Sequence, residues 1–167
     1  MKKITKVVIP VAGLGTRMLP ATKVIPKEML PIVNKPIIQY IVEEVIFAGF
    51  KEIILVTNSN KYSIEKYFDQ SPELEATLEK KVKRGTLKEI RKISKLNISI
   101  HSIRQGEAKG LGHAILCAKK LIGKEPFAVI LPDMLISKDN GNAGASLKEM
   151  RLNFEKHEIS SILLGKA

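Results

Sequence analysis

The sequence is poor in cysteine and aromatic residues, and it has no long apolar run. One cysteine, Cys117, among 167 residues excludes an internal disulfide framework and predicts a protein of the reducing cytoplasm. Tryptophan is absent and aromatic residues make up 5% of the chain, so platforms for stacking nucleobases are scarce. The apolar stretch that follows Met1 to Lys6 is too short for a signal peptide or a bilayer span. We therefore expect no membrane association.

Acidic residues are the scarcer charged type, with 17 against 28 lysines and arginines, which gives a net charge of +11. Residues 79–95 hold eight of the cations and a net charge of +6. Apolar residues recur there at helical spacing, so we interpret the stretch as a solvated helix face and expect no nucleic-acid partner. A non-catalytic module that binds anions or RNA through residues 79–95 stays the alternative.

Strands and helices alternate along the predicted chain. This order predicts an α/β fold, a Rossmann-like three-layer arrangement with a mainly parallel sheet and helices on both faces, in one domain over residues 1–167. The apolar run from Val7 to Val11 is typical of a strand covered on both faces. The other predicted strands cover residues 52–57, 98–103, 127–131 and 159–164, and predicted helices cover 36–49, 63–68, 113–121 and 147–154.

Several boundaries are predicted from turn residues. Prolines at positions 20, 26, 31 and 36 exclude a long helix between the first strand and the first helix. Pro36 suits the first position of that helix, and Ser63 suits the cap of the next. Gly85 predicts a break in the basic helical stretch, and Gly106 to Gly112 predict a turn.

A glycine-rich turn follows the first strand, with the sequence Ala12-Gly13-Leu14-Gly15-Thr16-Arg17. Met18 stands where a dinucleotide fingerprint needs its third glycine, and the Gly-Lys-Ser/Thr of a P-loop is absent. Backbone amides can nevertheless approach an anion closely where glycine removes the Cβ atom. Four cations against one acid between Gly13 and Pro36 favour a polyphosphate site over a purely structural turn.

Two cations of this segment suit phosphate chemistry. Arg17 offers a planar fork for two phosphate oxygens, and Lys27 offers a point charge. Cations fixed near a transferring phosphoryl group stabilise the charge that develops in the transition state. We therefore predict that Arg17 and Lys27 are catalytic residues.

Asp133 directly follows an apolar strand, where open α/β sheets place their ligands. A carboxylate at that position can hold Mg²⁺, which prefers one or two carboxylates together with substrate phosphates. We predict that Asp133 is a catalytic residue and the metal ligand, although a turn aspartate after proline is an equally good interpretation of this residue taken alone.

The segment from Gln105 to His113 is a second glycine-bearing turn after a predicted strand. Gln105 can donate to and accept from a base edge, and Gly110 allows close backbone approach. Spacing alone favours an ordinary strand–helix turn here.

Taken together, these segments resemble the bacterial UTP–glucose-1-phosphate uridylyltransferases within the sugar nucleotidyltransferase family. The resemblance covers essentially the whole chain. The matching segments are Ala12–Arg17, Lys23, Ile25–Pro31, Pro36–Tyr40, Ser71–Glu75, Arg104–Gly106, Lys109–Ala114 and Leu131–Asp133.

The resemblance implies specific roles and partners. It implies a homo-oligomeric enzyme that joins UTP and glucose 1-phosphate into UDP-glucose and pyrophosphate, with Mg²⁺ as cofactor. The implied metal ligand is Asp133, and Arg17 and Lys27 are the implied triphosphate ligands. Thymidylyl or adenylyl transfer stays the alternative chemistry. The implied nucleotide-binding positions are Ala12, Gly13, Leu14, Gly15, Thr16, Lys27, Gln105 and Gly110.

This sequence departs from the family pattern in two ways. Asn34 stands where the family usually has aspartate. The family also continues beyond position 167, into a Glu-Lys-Pro segment, a lysine for the sugar phosphate and a second metal carboxylate. We therefore expect this chain to correspond to the N-terminal, nucleotide-binding portion, to bind UTP weakly and to turn over little by itself.

Overall fold

The core of the molecule is a sheet of four parallel strands, seen in a computed structural model that describes residues 3–135 and 144–157. In chain order the elements are β1 (Lys6–Pro10), β2 (Pro31–Ile32), β3 (Lys35–Pro36), α1 (Ile37–Phe47), β4 (Glu52–Thr57), α2 (Tyr62–Tyr67), α3 (Pro72–Lys80), α4 (Arg84–Ser94), β5 (Ser99–Arg104), α5 (Gly110–Cys117), α6 (Lys119–Ile122), β6 (Phe127–Val129) and α7 (Ala145–Lys156). Their order matches the predicted alternation of strands and helices.

The strands lie in the order β5-β4-β1-β6, and every neighbouring pair is parallel. Val8 of β1 lies opposite Ile54 on one side and Val129 on the other. Because parallel neighbours all point the same way, the residues that follow β1, β4, β5 and β6 meet at one edge of the sheet. That edge carries the candidate site.

Alternate residues of β1 face two different helical layers. Val7 and Ile9 pack in a core cluster with residues of α1 and α2, and Leu147 and Phe154 of α7 pack against the same cluster. Val8 faces the other way and clusters with α5 and α6. Helices therefore cover both faces, which explains the near-continuous apolar sequence of β1 and confirms the predicted three-layer α/β fold.

The proline-spaced segment after β1 contains no long helix, as predicted. It forms three short 3-10 turns, at Thr16–Met18, Ala21–Lys23 and Lys27–Met29, and then the antiparallel pair β2 and β3. Pro36 is the residue that caps α1 rather than its first residue, so the helix begins one residue later than predicted.

The prediction of a helix break at Gly85 is wrong. The chain turns at residues 81–83, where Val82 takes a φ of 54°, and Gly85 lies inside the first turn of α4. Arg91 of α4 forms ion pairs with Glu75 and Glu79 of α3, so the two helices form a hairpin. These ion pairs link the two helices on either side of the turn.

Two helix starts also differ from the predictions. The helix expected from His113 begins three residues earlier, because Gly110 itself opens α5 with a φ of 85°. The helix expected to be capped by Ser63 follows Lys61 instead, and Ser63 is its second residue. The predicted strand at 159–164 lies outside the described residues. Within the described ranges, no helix combines the length and apolar character needed to cross a membrane.

Candidate nucleotide-binding site

Three loops meet where β1, β4 and β5 end. The Asn58 side chain, just after β4, donates a hydrogen bond of 2.8 Å from Nδ2 to the carbonyl of Ala12. The backbone amide of Gln105, just after β5, donates to the Thr57 carbonyl at 2.7 Å. These bonds extend the sheet connections past the strand ends and hold the predicted nucleotide-binding residues Ala12 and Gln105 at one edge.

A hydrogen bond and close packing from Thr22 fix the glycine-rich turn. Gly15 has a φ of 69°, a conformation that L side chains rarely adopt, and its carbonyl accepts a 2.7 Å hydrogen bond from Thr22 Oγ1. A Cβ atom at Gly15 would lie 3.2 Å from the Thr22 Cβ atom, whereas one at Gly13 would meet nothing within 4 Å. Leu14 and Thr16 are exposed. The turn is therefore packed on its inner side and open along its outer backbone.

Arg17, Lys27 and Asp133 come together at one carboxylate oxygen. Arg17 Nη2 and Lys27 Nζ each donate to Asp133 Oδ2 at 3.2 Å, although 116 and 106 residues of sequence separate them from the aspartate. The fold thus places the cations of the glycine-rich loop beside the carboxylate that follows β6. Lys23, the other cation of the first two turns, is exposed.

The two cations also set the charge of Asp133. Partial burial acts to raise the pKa of Asp133, but the hydrogen bond and charge of Lys27, with the charge of Arg17, outweigh it and hold the pKa below its ordinary value. The aspartate is therefore ionised at neutral pH, which is the state that a metal ion or a cationic side chain needs.

A cleft of about 330 Å³ lies beside this charge cluster. Its polar side is formed by Lys27 and Asp133, and the remaining lining is apolar. That volume and mixture are typical of small-molecule sites. The apolar lining consists of Met18, Ile32, Ile37, Pro132 and Leu135, none of which the sequence alone indicates.

A buried ion pair is formed by the residue next to Lys27. Glu28, next to Lys27 in the turn Lys27–Met29, is 1% exposed and accepts a 2.7 Å bond from Lys61 Nζ. Lys61 is 5% exposed and comes just before α2. The pair ties the turn that carries Lys27 to the start of α2, and nothing in the sequence pattern indicates it.

Gln105 and Gly110, both predicted to bind the nucleotide, contact each other directly. Gln105 Nε2 donates to the Gly110 carbonyl at 3.1 Å and lies 3.0 Å from His113 Nδ1. Gln105 is 7% exposed, so its amide is held in a defined orientation. Of the residues missed by sequence reasoning, Asn58 could have been found by the rule that selected Asp133, a polar residue directly after a buried strand.

The donor set suits a magnesium ion that arrives with phosphates. Among the described residues, no group of three or more histidine, cysteine, aspartate or glutamate side chains could enclose a metal. Asp133 is a single hard oxygen ligand, with 31% of its side chain exposed at the cleft. One carboxylate with open positions fits Mg²⁺, which retains several waters and takes its other ligands from substrate phosphates.

Comparison with known proteins finds relatives that carry the same or a closely related enzyme name. The chain is 55% identical over 161 residues to UTP–glucose-1-phosphate uridylyltransferase of Haemophilus ducreyi, covering 96% of this chain and 55% of that protein. It is 53% identical to the enzyme of that name from Bacillus subtilis, covering 98% and 54%. The UTP-bound UGPase from Acinetobacter baumannii superposes with a TM-score of 0.85 at 49% identity, covering 92% of this chain and 53% of that chain.

The chain therefore spans about half the length of the curated relatives that it matches. Residues 6–163 match the family described as nucleotidyl transferase. This match covers almost the whole chain, and it agrees with the parallel sheet and with the cationic glycine-rich loop at its edge. The chain belongs to the nucleotidyl transferase family.

Proposed function

We propose that this chain is the nucleotide-binding portion of an enzyme that condenses UTP with glucose 1-phosphate to UDP-glucose and pyrophosphate. The observation that carries the proposal is the meeting of Arg17, Lys27 and Asp133 beside the glycine-rich loop. Two relatives named UTP–glucose-1-phosphate uridylyltransferase support the choice of nucleotide and sugar. Homo-oligomeric assembly belongs to the same proposal.

The phosphate-binding role belongs to Arg17 and Lys27. Both already donate to an anionic oxygen, that of Asp133, at 3.2 Å. A triphosphate in the cleft offers more negative charge than one carboxylate, so these donors transfer to its oxygens. Fixed cations there stabilise the leaving pyrophosphate, and losing one such donor typically costs about 3 kcal/mol, or a hundredfold or more in rate.

The base-binding role belongs to the loops after β1 and β5. The backbone of Ala12 and Gly13 lines one side of the edge, and the residues Gln105 and Gly110 lie on the β5 side. Leu14, Gly15 and Thr16 complete the loop between base and phosphates. Asn58 positions the β1 loop by holding the Ala12 carbonyl.

Asp133 is the ligand that would hold Mg²⁺ in this chain. When bound, the ion neutralises phosphate charge and orients the triphosphate. The depressed pKa of Asp133 keeps its carboxylate ionised for this role. The Lys27 side chain is 18% exposed, and its Nζ lies 3.2 Å from the carboxylate of Asp133 in the cleft.

The reaction that this site serves is a direct displacement. A phosphate oxygen of glucose 1-phosphate attacks the α-phosphorus of UTP and forms the new P–O bond. The bond between the α-phosphorus and the bridging oxygen breaks, and pyrophosphate leaves with the electron pair. Because the chain spans about half the length of its relatives, we propose that residues 1–167 bind UTP but form UDP-glucose far more slowly than those relatives.

Calorimetric titration of the chain with UTP, dTTP, ATP and an RNA oligomer, each with and without Mg²⁺, tests the proposal. We expect Mg²⁺-dependent binding that is tightest for UTP. Tightest binding of dTTP or ATP would instead indicate thymidylyl or adenylyl transfer. Absence of triphosphate binding, with tight binding of RNA, would contradict the proposal and favour an RNA-binding module.

A matched pair of variants locates the binding surface. Reversal of three exposed cations on the α3–α4 hairpin, Lys80→Glu, Lys83→Glu and Arg84→Glu together, should leave UTP affinity nearly unchanged. Arg17→Ala should weaken it. The opposite ranking would place the ligand on the basic hairpin and contradict the assignment of the cleft.

A further inference from the structure

We propose that His113 is a positioning residue that sets the choice between uracil and cytosine, by fixing which end of the Gln105 amide meets the base. The inference rests on the proposed nucleotide site and assigns a role to a histidine that the sequence analysis left without one. His113 lies in the first turn of α5, three residues after Gly110.

The orientation of the Gln105 amide follows from its neighbours. Its Nε2 lies 3.1 Å from the Gly110 carbonyl oxygen, which can only accept a hydrogen bond. The Gly110 carbonyl therefore favours the orientation in which the nitrogen end of the amide faces it. The same nitrogen lies 3.0 Å from His113 Nδ1, so the second amide hydrogen points to the imidazole.

This geometry fixes the tautomer of His113. Nδ1 can accept the second amide hydrogen only when it carries no proton of its own, so the neutral ring has its hydrogen on Nε2. A ring protonated on Nδ1 would turn a donor toward a donor. Gly110 and neutral His113 together hold the amide in one orientation.

Both hydrogens of the Gln105 amide are thereby committed to protein acceptors. Its backbone N–H is also committed, to the Thr57 carbonyl at 2.7 Å. In the described part of the chain, the side-chain oxygen Oε1 is the polar end of Gln105 that stays available to a ligand. Gln105 can therefore accept a hydrogen bond from a base, but it cannot donate one from its side chain.

An acceptor at this position discriminates between the two pyrimidines. Uracil carries a hydrogen on N3 and can donate to Oε1, whereas the N3 of cytosine is an unprotonated acceptor. Cytosine would place two acceptors against each other in a site that is largely shielded from water, where Gln105 is 7% exposed. Sites built around a hydrogen bond strongly reject a ligand that cannot make it.

The binding test compares UTP and CTP, each with Mg²⁺, on the wild-type chain and two variants. His113→Asn keeps an acceptor, because its Oδ1 lies the same number of bonds from Cα as the imidazole Nδ1. His113→Phe keeps a ring but removes the acceptor, so only the Gly110 carbonyl still holds the nitrogen end and the amide can turn that end toward the N3 of cytosine. We expect the wild-type chain and His113→Asn to prefer UTP by at least about tenfold, and His113→Phe to lose most of that preference.

The outcomes separate the two claims. An unchanged UTP preference in His113→Phe, or an equal loss in His113→Asn, would overturn the role of His113 while leaving the nucleotide site intact. No binding of any triphosphate by the wild-type chain would instead contradict the proposed function itself. Both variants are compared only by the ratio of the two affinities, which a general loss of stability does not change.

A second readout needs no ligand and no variant. Long-range proton–nitrogen NMR correlations of the histidine rings identify which ring nitrogen carries the hydrogen. The neutral His113 ring should be protonated on Nε2, with a bare Nδ1. A ring protonated on Nδ1 could not accept a hydrogen from the Gln105 amide and would overturn the inference.

Discussion

Lys27 and Arg17 reach the same oxygen of Asp133 from different surroundings. The side chain of Lys27 is 18% exposed, whereas that of Arg17 is 88% exposed. Water and salt screen an exposed charge strongly and a largely buried charge much less. Although both lie at 3.2 Å, the lysine should therefore contribute more to anion binding than the arginine.

Single substitutions of the two cations test this difference. We expect Lys27→Ala to weaken Mg²⁺-dependent UTP binding by about a hundredfold and Arg17→Ala by about tenfold, because charge-assisted hydrogen bonds weaken as solvent screens them. Isothermal titration calorimetry at one salt concentration gives both values. Lys23→Ala is the control, since Lys23 is an exposed cation of the same loop. A larger loss for Arg17→Ala than for Lys27→Ala would contradict the ranking.

Glu44 in α1 provides a prediction about pH. Burial raises the pKa of this carboxyl above its ordinary value of 4.5. The folded state therefore binds the Glu44 proton more readily than the unfolded state, and this residue lowers stability as the pH rises from below 4.5 to neutrality. We expect Glu44→Gln to raise the free energy of unfolding by about 1 kcal/mol at pH 7, with no gain at low pH.

The neighbouring Glu43 is the matched control in the same helix. Glu43 accepts bonds from Lys35 Nζ at 3.1 Å and from Gln39 Nε2 at 2.8 Å, so Glu43→Gln should not stabilise the protein. Thermal melts of both variants between acid and neutral pH make the comparison. An equal gain from Glu44→Gln at every pH would contradict the origin of the effect in the carboxylate charge.

At the scale of elements, one 3-10 turn connects the cleft to the interior. The turn Lys27–Met29 carries Lys27 toward Asp133 on one side and Glu28 toward Lys61 on the other. The Glu28 and Lys61 side chains are 0% and 7% exposed, so this ion pair is almost fully removed from water. Such a pair costs desolvation energy, but breaking it leaves a buried charge alone.

Substitutions of this pair should be strongly non-additive. We expect Lys61→Met to lower the free energy of unfolding by about 3 kcal/mol, because it leaves the Glu28 carboxylate buried without its cation. The double variant Glu28→Leu with Lys61→Met should recover most of that loss, since no buried charge remains. Denaturant unfolding of the single and double variants measures both effects. Additive losses would contradict the pairing.

The elements were predictable where local pattern determines them. The apolar run of β1, the prolines before α1 and the alternation of strands and helices were sufficient to predict the layered fold. The turn at residues 81–83 was missed because it lies between two helices that contact each other, with Arg91 of α4 paired to Glu75 and Glu79 of α3, and no local signal there competes with Gly85. Boundaries that depend on contacts between helices cannot be read from one segment.

At the scale of the molecule, the candidate site is a consequence of parallel topology. Ala12, Asn58, Gln105 and Asp133 each lie shortly after a strand of the sheet, and the strand order brings those ends together. The sequence therefore predicted a site with Ala12, Gln105 and Asp133 at this edge, but it did not lead us to Asn58. It could not predict the Glu28–Lys61 pair or the contact of Gln105 with His113, because both depend on packing between loops and helices.

More than half of the net positive charge of the chain is carried by residues 79–95, outside the loops that form this edge. Of the eight cations in residues 79–95, seven are exposed, and Arg91 is engaged between α3 and α4. The exposure of this surface agrees with the solvated helix face expected from the sequence. Its charge should add a weak, salt-sensitive attraction to polyanions, without choosing among nucleotides.

The most direct test of the account is an NMR titration of the isotope-labelled chain with UTP and Mg²⁺. The central claim is that the glycine-rich loop, its two cations and Asp133 form one nucleotide site. We expect saturable backbone shifts at residues 12–17, 27, 105–113 and 133, with residues 79–95 unaffected. Shifts confined to residues 79–95, or saturable binding that leaves Arg17, Lys27 and Asp133 unperturbed, would contradict the claim.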